Sequence, residues 1–174
     1  MSSRFRWGDE MKDVKDRTAG GEEPGDDDFM RAAMEEARAG LAEGGVPIGA
    51  VLVEDGKIIG RGRNRRVQDG DQLIHAEIDC LRNARRTGGY IGTTLYSTMM
   101  PCYLCAGAAV QFGIRRVVAG EAESAPEARK FMESFGIEVV DLNLAEAKKL
   151  LAEFIRRRPG LWDEFLAECN PDIF

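Results

Sequence analysis

The sequence predicts an α/β protein, in which a mixed five-stranded sheet lies between two layers of helices in a three-layer α/β/α arrangement. Two observations lead to this fold class. Segments with apolar residues at helical spacing alternate along the chain with short β-rich runs. An Asp55-Gly56 pair, a strong hairpin signal, joins the first two of those runs. The predicted order α-β-β-α-β-α-β-α-β-α-α gives a mostly parallel sheet with helices on both faces.

The first helix is predicted to begin at Asp28, because aspartate is favoured at the residue that caps a helix N-terminus. Gly44-Gly45 is expected to end this helix. A buried strand at 46–53 and its partner at 57–62 follow, joined by the hairpin turn. The apolar residues that recur at helical spacing in the first helix are Phe29, Ala33, Met34, Ala37 and Leu41.

The later elements are predicted from the same signals, with glycine or proline at several of their ends. After a polar loop at 64–71, helices are expected at 75–86, 102–112, 126–135 and 143–157, and strands at 93–98, 115–119 and 137–141. Pro159 breaks the last long helix, and a short helix that carries Trp162 and Phe165 follows it.

Composition indicates one domain with a sizeable core, since the chain has 174 residues of which 44% are hydrophobic. Residues 1–27 are rich in charged residues and glycine and are predicted to form a flexible N-terminal arm, which leaves 28–174 as the folded domain. The formal net charge is −6. No apolar run could span a bilayer, and the first 11 residues lack the apolar segment of a secretory signal. We therefore expect a cytoplasmic protein with no membrane partner.

Two short motifs carry the chemistry, His75-Ala76-Glu77 and Pro101-Cys102-x-x-Cys105, and each opens a predicted helix. A thiolate at a helix N-terminus is stabilised by the free N–H groups and the positive end of the helix dipole, so it binds metal readily. Cys102 and Cys105 are three residues apart and can point to one side of a first turn. His75, the sole histidine, can supply a nitrogen from the other helix.

Three ligands of this type leave one position open on tetrahedral Zn²⁺, which is typical of catalytic rather than structural sites. A water at that position would be acidified towards hydroxide near neutral pH. Glu77 points differently from His75 on the same helix, so it is a poor ligand. It can instead take a proton from the water and pass it to a substrate, as a general acid and base.

The same residues are also compatible with less specific interpretations. The two cysteines could form a redox pair, but such a motif does not need a His-x-Glu upstream. A structural zinc module would need a fourth protein ligand, and only Cys80 or Cys169 could add a thiolate. Neither lies near the motifs in the sequence. A catalytic zinc site is therefore the preferred hypothesis.

With these motifs in place, the chain resembles the cytidine deaminase superfamily and, within it, the fungal-type cytosine deaminases that act on free bases. The similarity covers roughly residues 29–168. It implies a zinc hydrolase that releases ammonia and is usually a homodimer. Besides His75-x-Glu77 and Pro101-Cys-x-x-Cys105, the segments that fit the family pattern are 43–49, 60–64, 113–116 and 154–159.

The resemblance also implies which residues bind substrate. Asn64 would hydrogen-bond the substrate ring, and Ile48 and Trp162 would help to wall the pocket. Ala76, between the two motif residues, and Glu164 complete the predicted substrate-binding set.

Two departures from the family pattern bear on the substrate. An acidic residue that recognises the pyrimidine in cytosine deaminases is replaced here by Phe165, with Asp163 and Glu164 as the nearest acids. A pocket phenylalanine is replaced by a small residue near 124 or 125. The resemblance therefore implies the reaction class, and it leaves the identity of the substrate base open.

The main functional hypothesis is hydrolytic deamination of a free aminated heterocycle, namely cytosine or a related aminopyrimidine, aminopurine or triazine. The alternatives are a tRNA-specific adenosine deaminase or a guanine deaminase, and last a non-enzymatic structural zinc module. Beyond residue 28 the chain has 19 basic and 21 acidic residues, a net charge of −2. A tRNA-binding protein should present a clearly basic face, so a nucleic acid partner is not expected.

Overall fold

The computed structural model describes residues 23–123 and 126–169. The N-terminal arm predicted at 1–27 lies mostly outside these residues and stays a prediction, as does the small pocket residue expected at 124 or 125. Within the described ranges, no helix is both long and apolar enough to cross a membrane.

The described chain folds into five strands and seven helices in almost the predicted order. The strands are β1 (Gly49–Glu54), β2 (Lys57–Arg63), β3 (Thr93–Ser97), β4 (Arg116–Ala119) and β5 (Glu138–Asp141). The helices are α1 (Asp26–Ala42), α2 (Arg66–Asp69), α3 (Ala76–Ala84), α4 (Tyr103–Phe112), α5 (Pro126–Ser134), α6 (Ala145–Arg157) and α7 (Pro159–Cys169). The one unpredicted element is α2, a single turn within the segment predicted as a polar loop.

The five strands form one mixed sheet in the order β2-β1-β3-β4-β5. β1 pairs antiparallel with both β2 and β3, whereas the β3–β4 and β4–β5 pairs are parallel. Four strands therefore run in one direction and β1 alone opposes them. Because of this arrangement, the carboxyl ends of β2, β3 and β4 and the amino end of β1 all lie at the same edge of the sheet.

The two faces of the sheet bury different apolar clusters, as period-two alternation along a strand requires. One face, covered by α1, carries Val51, Val53, Tyr96 and Val118. The other face, covered by α3, α4 and α5, carries Ala50, Leu52, Leu95 and Val117. The predicted three-layer α/β/α class is confirmed. α6 is joined to α1 by an ion pair between Arg38 and Glu146.

The first helix begins two residues before the predicted cap. Gly25, not Asp28, is the N-cap residue, so the prediction at Asp28 was wrong. Asp28 lies in the first turn, where its carboxylate accepts a hydrogen bond from the Gly25 N–H at 3.0 Å. The earlier start lets Asp26 accept hydrogen bonds from Arg116 at 2.8 and 2.7 Å and from the Tyr96 hydroxyl at 2.8 Å. These bonds fasten α1 to β3 and β4.

Glycine in β2 allows α3 to lie directly against the sheet. A Cβ atom at Gly62 would lie 2.1 Å from the Cys80 backbone nitrogen and 2.5 Å from the Ala76 carbonyl oxygen. Both atoms belong to the helix backbone, which cannot yield as a flexible side chain can. The position of α3, and of the residues at its N-terminus, therefore requires a residue without a side chain at position 62.

We expect Gly62→Ala to lower the free energy of unfolding by about 1–3 kcal/mol, because the added methyl group overpacks this contact. Gly160→Ala is the matched control, since Gly160 is exposed on α7 and a Cβ there meets nothing within 4 Å. Alanine should stabilise that helical position by up to about 1 kcal/mol. Urea unfolding of zinc-saturated protein measures both effects. An unchanged midpoint for Gly62→Ala would show that α3 does not depend on this close approach.

Candidate active site

The N-terminus of α3 presents the first motif. His75 is the N-cap residue, with extended backbone angles (φ −71°, ψ 162°), and its carbonyl accepts the first helical hydrogen bond, from Asp79 N–H at 2.9 Å. Its imidazole is 6% exposed. Glu77, two residues later in the first turn, is 4% exposed. The motif thus places an imidazole and a carboxyl group side by side in the interior.

The N-terminus of α4 presents the second motif at the same edge of the sheet. Cys102 is its N-cap residue, and its carbonyl accepts the Ala106 N–H at 2.8 Å. Cys105 lies one turn further along the helix. Both thiols are buried, at 7% and 1% exposure. No disulfide joins them, and Cys80, buried in α3, is likewise free.

The His75, Cys102 and Cys105 side chains converge, although they come from two helices separated by β3. Their ligand atoms all lie within 4.8 Å of one another. Nδ1 of His75 is 3.4 Å from the Cys102 sulfur and 3.6 Å from the Cys105 sulfur. One imidazole nitrogen and two thiolates suit tetrahedral Zn²⁺ and leave one position for a reactant. The three side chains therefore fit the predicted metal.

Glu77 is oriented by its neighbours. The Ser97 hydroxyl, buried at the carboxyl end of β3, donates a hydrogen bond to Glu77 Oε1 at 2.9 Å. The other carboxyl oxygen, Oε2, accepts the Cys105 S–H at 3.3 Å. This places the carboxyl group directly beside the predicted ligands, as a proton carrier requires.

Crowding of these groups perturbs their proton affinities. Burial raises the pKa of Glu77, and the negative charge of Cys102 raises it further. Burial also raises the pKa of the Cys105 thiol. For His75, burial lowers the pKa, but the hydrogen bond and the charge of Cys102 outweigh it, so the net direction is upward. Several groups that become anionic thus share a buried space, and a divalent cation there would stabilise their charged forms.

A small cavity adjoins these groups. Its volume is about 10 Å³, enough for about one water molecule. Asn64, which follows β2, lines it with a side chain that is 0% exposed. The cavity is lined by Ile48, Asn64, His75, Glu77, Met99, Met100, Cys102 and Phe165.

The predicted substrate-binding residues take different positions around this cavity. Asn64 and Ile48 line it. Ala76 is fully buried beside the motif residues without lining the cavity. Trp162 is buried behind the wall, stacked on Phe165. Glu164 is exposed on α7, so the structure does not bring it to the cavity.

Three residues of the site were not singled out in the sequence: Met99 and Met100 line the cavity, and Ser97 hydrogen-bonds to Glu77. Ser97 ends β3, and Met99 and Met100 lie in the segment between β3 and Pro101. All three are buried, with Ser97 at 0% and the methionines at 4% and 1% exposure. Their position between a strand and the Cys-x-x-Cys motif was the available signal, because the carboxyl end of that strand must meet the site.

Comparison with known proteins decides the family. Residues 24–121 match the family described as the cytidine and deoxycytidylate deaminase zinc-binding region. The chain belongs to this deaminase family. The suspected family is thereby confirmed, and so are its Zn²⁺ cofactor and its hydrolytic deamination chemistry.

Three relatives illustrate the range of the deaminase family. Cytosine deaminase of Candida albicans is 37% identical over 142 residues, which cover 80% of this chain and 95% of the relative. A tRNA-specific adenosine deaminase of Streptococcus pyogenes is 39% identical over 92 residues, 51% of this chain and 56% of the relative, so the match spans about half of that enzyme. The structure of guanine deaminase from Nitrosomonas europaea aligns with a TM-score of 0.64 at 26% identity, covering 79% of this chain and 86% of that one.

We expect Cys102→Ala to lose most of its zinc, because one of three protein ligands is removed from the deaminase site. Cys80→Ala is the control, since Cys80 is also a buried thiol but does not belong to the group of side chains that could hold a metal ion. Metal analysis of purified protein by mass spectrometry measures zinc per chain. Zinc retained at the wild-type ratio in Cys102→Ala would remove Cys102 from the ligand set.

Proposed function

We propose that this deaminase acts on a free aminated heterocycle, namely cytosine or a related aminopyrimidine, aminopurine or triazine, and releases ammonia. His75, Cys102 and Cys105 hold Zn²⁺, and Glu77 moves the protons. Asn64 binds the substrate ring.

The enclosure of the cavity carries this proposal. Phe165 and Trp162 of α7 are buried, at 2% and 7% exposure, and Phe165 forms part of the cavity wall. A base that remains attached to a nucleic acid needs a cavity with an open entrance, so that the nucleic acid backbone can stay outside while the base enters. A helix packed over the site favours a small ligand that can be enclosed completely.

The proposed mechanism assigns each proton to a named group. The chemistry that bound Zn²⁺ supplies is acidification of a water molecule, which makes it nucleophilic near neutral pH. Glu77 accepts a proton from the attacking water and delivers it to the ring nitrogen beside the amine-bearing carbon. The water oxygen bonds to that carbon, and the same carboxyl group then transfers the second proton of the water to the amine, so that ammonia departs as the C–N bond breaks. Ser97 keeps Glu77 in reach throughout.

Asn64 is poised to orient the ring. Its side-chain oxygen accepts the Arg66 backbone N–H at 3.2 Å, and its backbone N–H donates to the Ile48 carbonyl at 2.9 Å. Its amide nitrogen Nδ2 is buried with no hydrogen-bond partner in the described part of the chain. An unpaired buried donor is costly, and a substrate acceptor would remove that cost.

Deamination of tRNA is the second candidate, supported by the identity to the Streptococcus pyogenes enzyme. The charge of the chain favours the free base over this candidate. The net charge of −2 beyond residue 28 gives no electrostatic preference for a polyanion.

We expect wild-type protein to release ammonia from at least one free aminopyrimidine, aminopurine or aminotriazine, and not from nucleosides or tRNA. Glu77→Gln should retain zinc yet lose about 100- to 10,000-fold in kcat, because the carboxyl group that carries the protons is gone. Coupled ammonia assays and metal analysis measure the two quantities.

Glu133→Gln is the matched control for that experiment, since it makes the same change on the exposed face of α5 and should keep full activity. Turnover confined to tRNA would replace the free-base proposal with the second candidate. Wild-type turnover by Glu77→Gln would instead remove Glu77 from the mechanism and leave the substrate class untouched.

We also propose that the protein forms the homodimer that the family resemblance implies, and that the two copies associate through α4. This helix is apolar almost all round, yet Tyr103, Leu104 and Phe112 are 40%, 44% and 44% exposed. Ile91, which lies near its end, is 72% exposed. A helix of this composition is normally buried on every side, and a second α4 would bury the exposed side.

Leu104→Glu should convert a dimer into a monomer in size-exclusion chromatography with light scattering, because a charge would be desolvated at the interface. Leu73→Glu, an equal change at a residue 61% exposed outside α4, should leave the dimer intact. A wild-type monomer at micromolar concentration would contradict the proposal.

The proposed location of the protein is the cytoplasm, where the free thiols of Cys80, Cys102 and Cys105 stay reduced. Cell fractionation checks this location.

A further inference from the structure

Phe165 forms one wall of the cavity beside the predicted metal ligands. Its ring centroid lies 5.5 Å from that of His75. The side chain is 2% exposed and is among the largest fully buried side chains of the protein. A substrate whose amine-bearing carbon is placed beside Glu77 and the metal ligands must therefore present part of its perimeter to this ring.

Phe165 is held in place from three sides. Trp162 stacks on it, with ring centroids 5.1 Å apart and planes inclined by 24°. The Arg66 guanidinium lies over its ring at 5.7 Å from the centroid, a cation–π contact. His75 closes the third side. The aromatic wall is thus built into the core and is not a loose surface side chain.

A six-membered ring exceeds the cavity volume of about 10 Å³, so some lining side chains move when a substrate enters. Met99 and Met100 are the ones suited to yield, because methionine is unbranched and adapts its shape easily. Phe165 has no comparable freedom, since its ring is stacked on Trp162 and is also in contact with His75 and Arg66. The substrate therefore contacts the Phe165 ring whichever conformations Met99 and Met100 adopt.

Few of the side chains that line the cavity can form hydrogen bonds with a substrate. Apart from the predicted ligands, the polar side chains that line it within the described ranges are Asn64 and Glu77. Asn64 offers a donor, its free Nδ2, and Glu77 is engaged by the reacting amidine. The remaining side chains, Ile48, Met99, Met100 and Phe165, offer only carbon and sulfur atoms. A ring N–H turned towards them would be buried without a side-chain acceptor.

We propose that Phe165 determines substrate specificity and selects aminated heterocycles that turn an N-alkylated or otherwise apolar edge towards α7, with a ring acceptor directed at Asn64. This inference rests on the proposed free-base deamination. For a heterocycle with an N–H group at that edge, the enzyme binds the transition state less tightly, because the N–H donor stays unpaired. Its kcat/KM is therefore lower. A ribose at the same edge is also disfavoured, because its hydroxyl groups would be left unpaired.

Matched substrate pairs test the proposal. Cytosine against 1-methylcytosine, guanine against 9-methylguanine and adenine against 9-methyladenine each exchange one ring N–H for N–CH₃. For the zinc-loaded wild-type protein, we expect kcat/KM for the methylated member of every pair that is turned over to be about tenfold higher. Phe165→Asp supplies an acceptor and should reverse that preference, whereas the apolar control Phe165→Leu should keep it.

The outcomes separate this inference from the function on which it rests. Free-base turnover with equal or higher kcat/KM for the N–H members overturns the role of Phe165 and leaves the free-base function standing. Ammonia release from no free base overturns both. If Phe165→Asp does not fold, as judged by circular dichroism and zinc content, the wild-type pairs and Phe165→Leu still decide the matter. An unchanged preference in a folded Phe165→Asp would assign the selectivity elsewhere.

Discussion

The meeting of two helix N-termini at one edge of the sheet is the constraint on which the site depends. His75 caps α3 and Cys102 caps α4, and the two helices follow different strands. The site forms only because β2 and β3 run in the same direction, with β1 opposing them between. Their carboxyl ends then share one edge, where ligand sites of α/β proteins are generally found. Reversal of either strand would move one helix start to the far side of the molecule.

That constraint extends into the packing beneath the site. The N-terminus of α3 reaches the correct depth only if its backbone lies on β2 without an intervening side chain, which Gly62 permits. Ser97 is the last residue of β3, and its hydroxyl donates a hydrogen bond to Glu77. The orientation of Glu77, the proposed proton carrier, therefore depends on the sheet. Burial raises the pKa of the Cys105 thiol and of the Glu77 carboxyl group, and a divalent cation beside them would favour their charged forms.

Local chemistry explains which features could be predicted from the sequence. His75, Glu77, Cys102 and Cys105 were found because each motif is complete within a few residues and needs particular residue types at fixed spacing. The alternation of strands and helices was found because periodicity is also local. The cap at Gly25 was missed because the Asp26 contacts with Arg116 and Tyr96 come from distant strands. Ser97, Met99 and Met100 were missed for the same reason, since only the assembled sheet brings Ser97 to Glu77 and the two methionines to the cavity.

The orientation of α7 shows what a resemblance alone leaves open. The sequence offered Glu164 as a replacement for the acid absent at position 165, but consecutive residues on a helix point about 100° apart. Trp162 and Phe165 are three residues apart and share the buried face, so Glu164 is turned outward. A rotation of α7 that brought Glu164 to the cavity would withdraw both aromatic rings from the core and break the contact of Phe165 with His75. The pocket can have the apolar wall or the acid, and the packing of the two rings selects the wall.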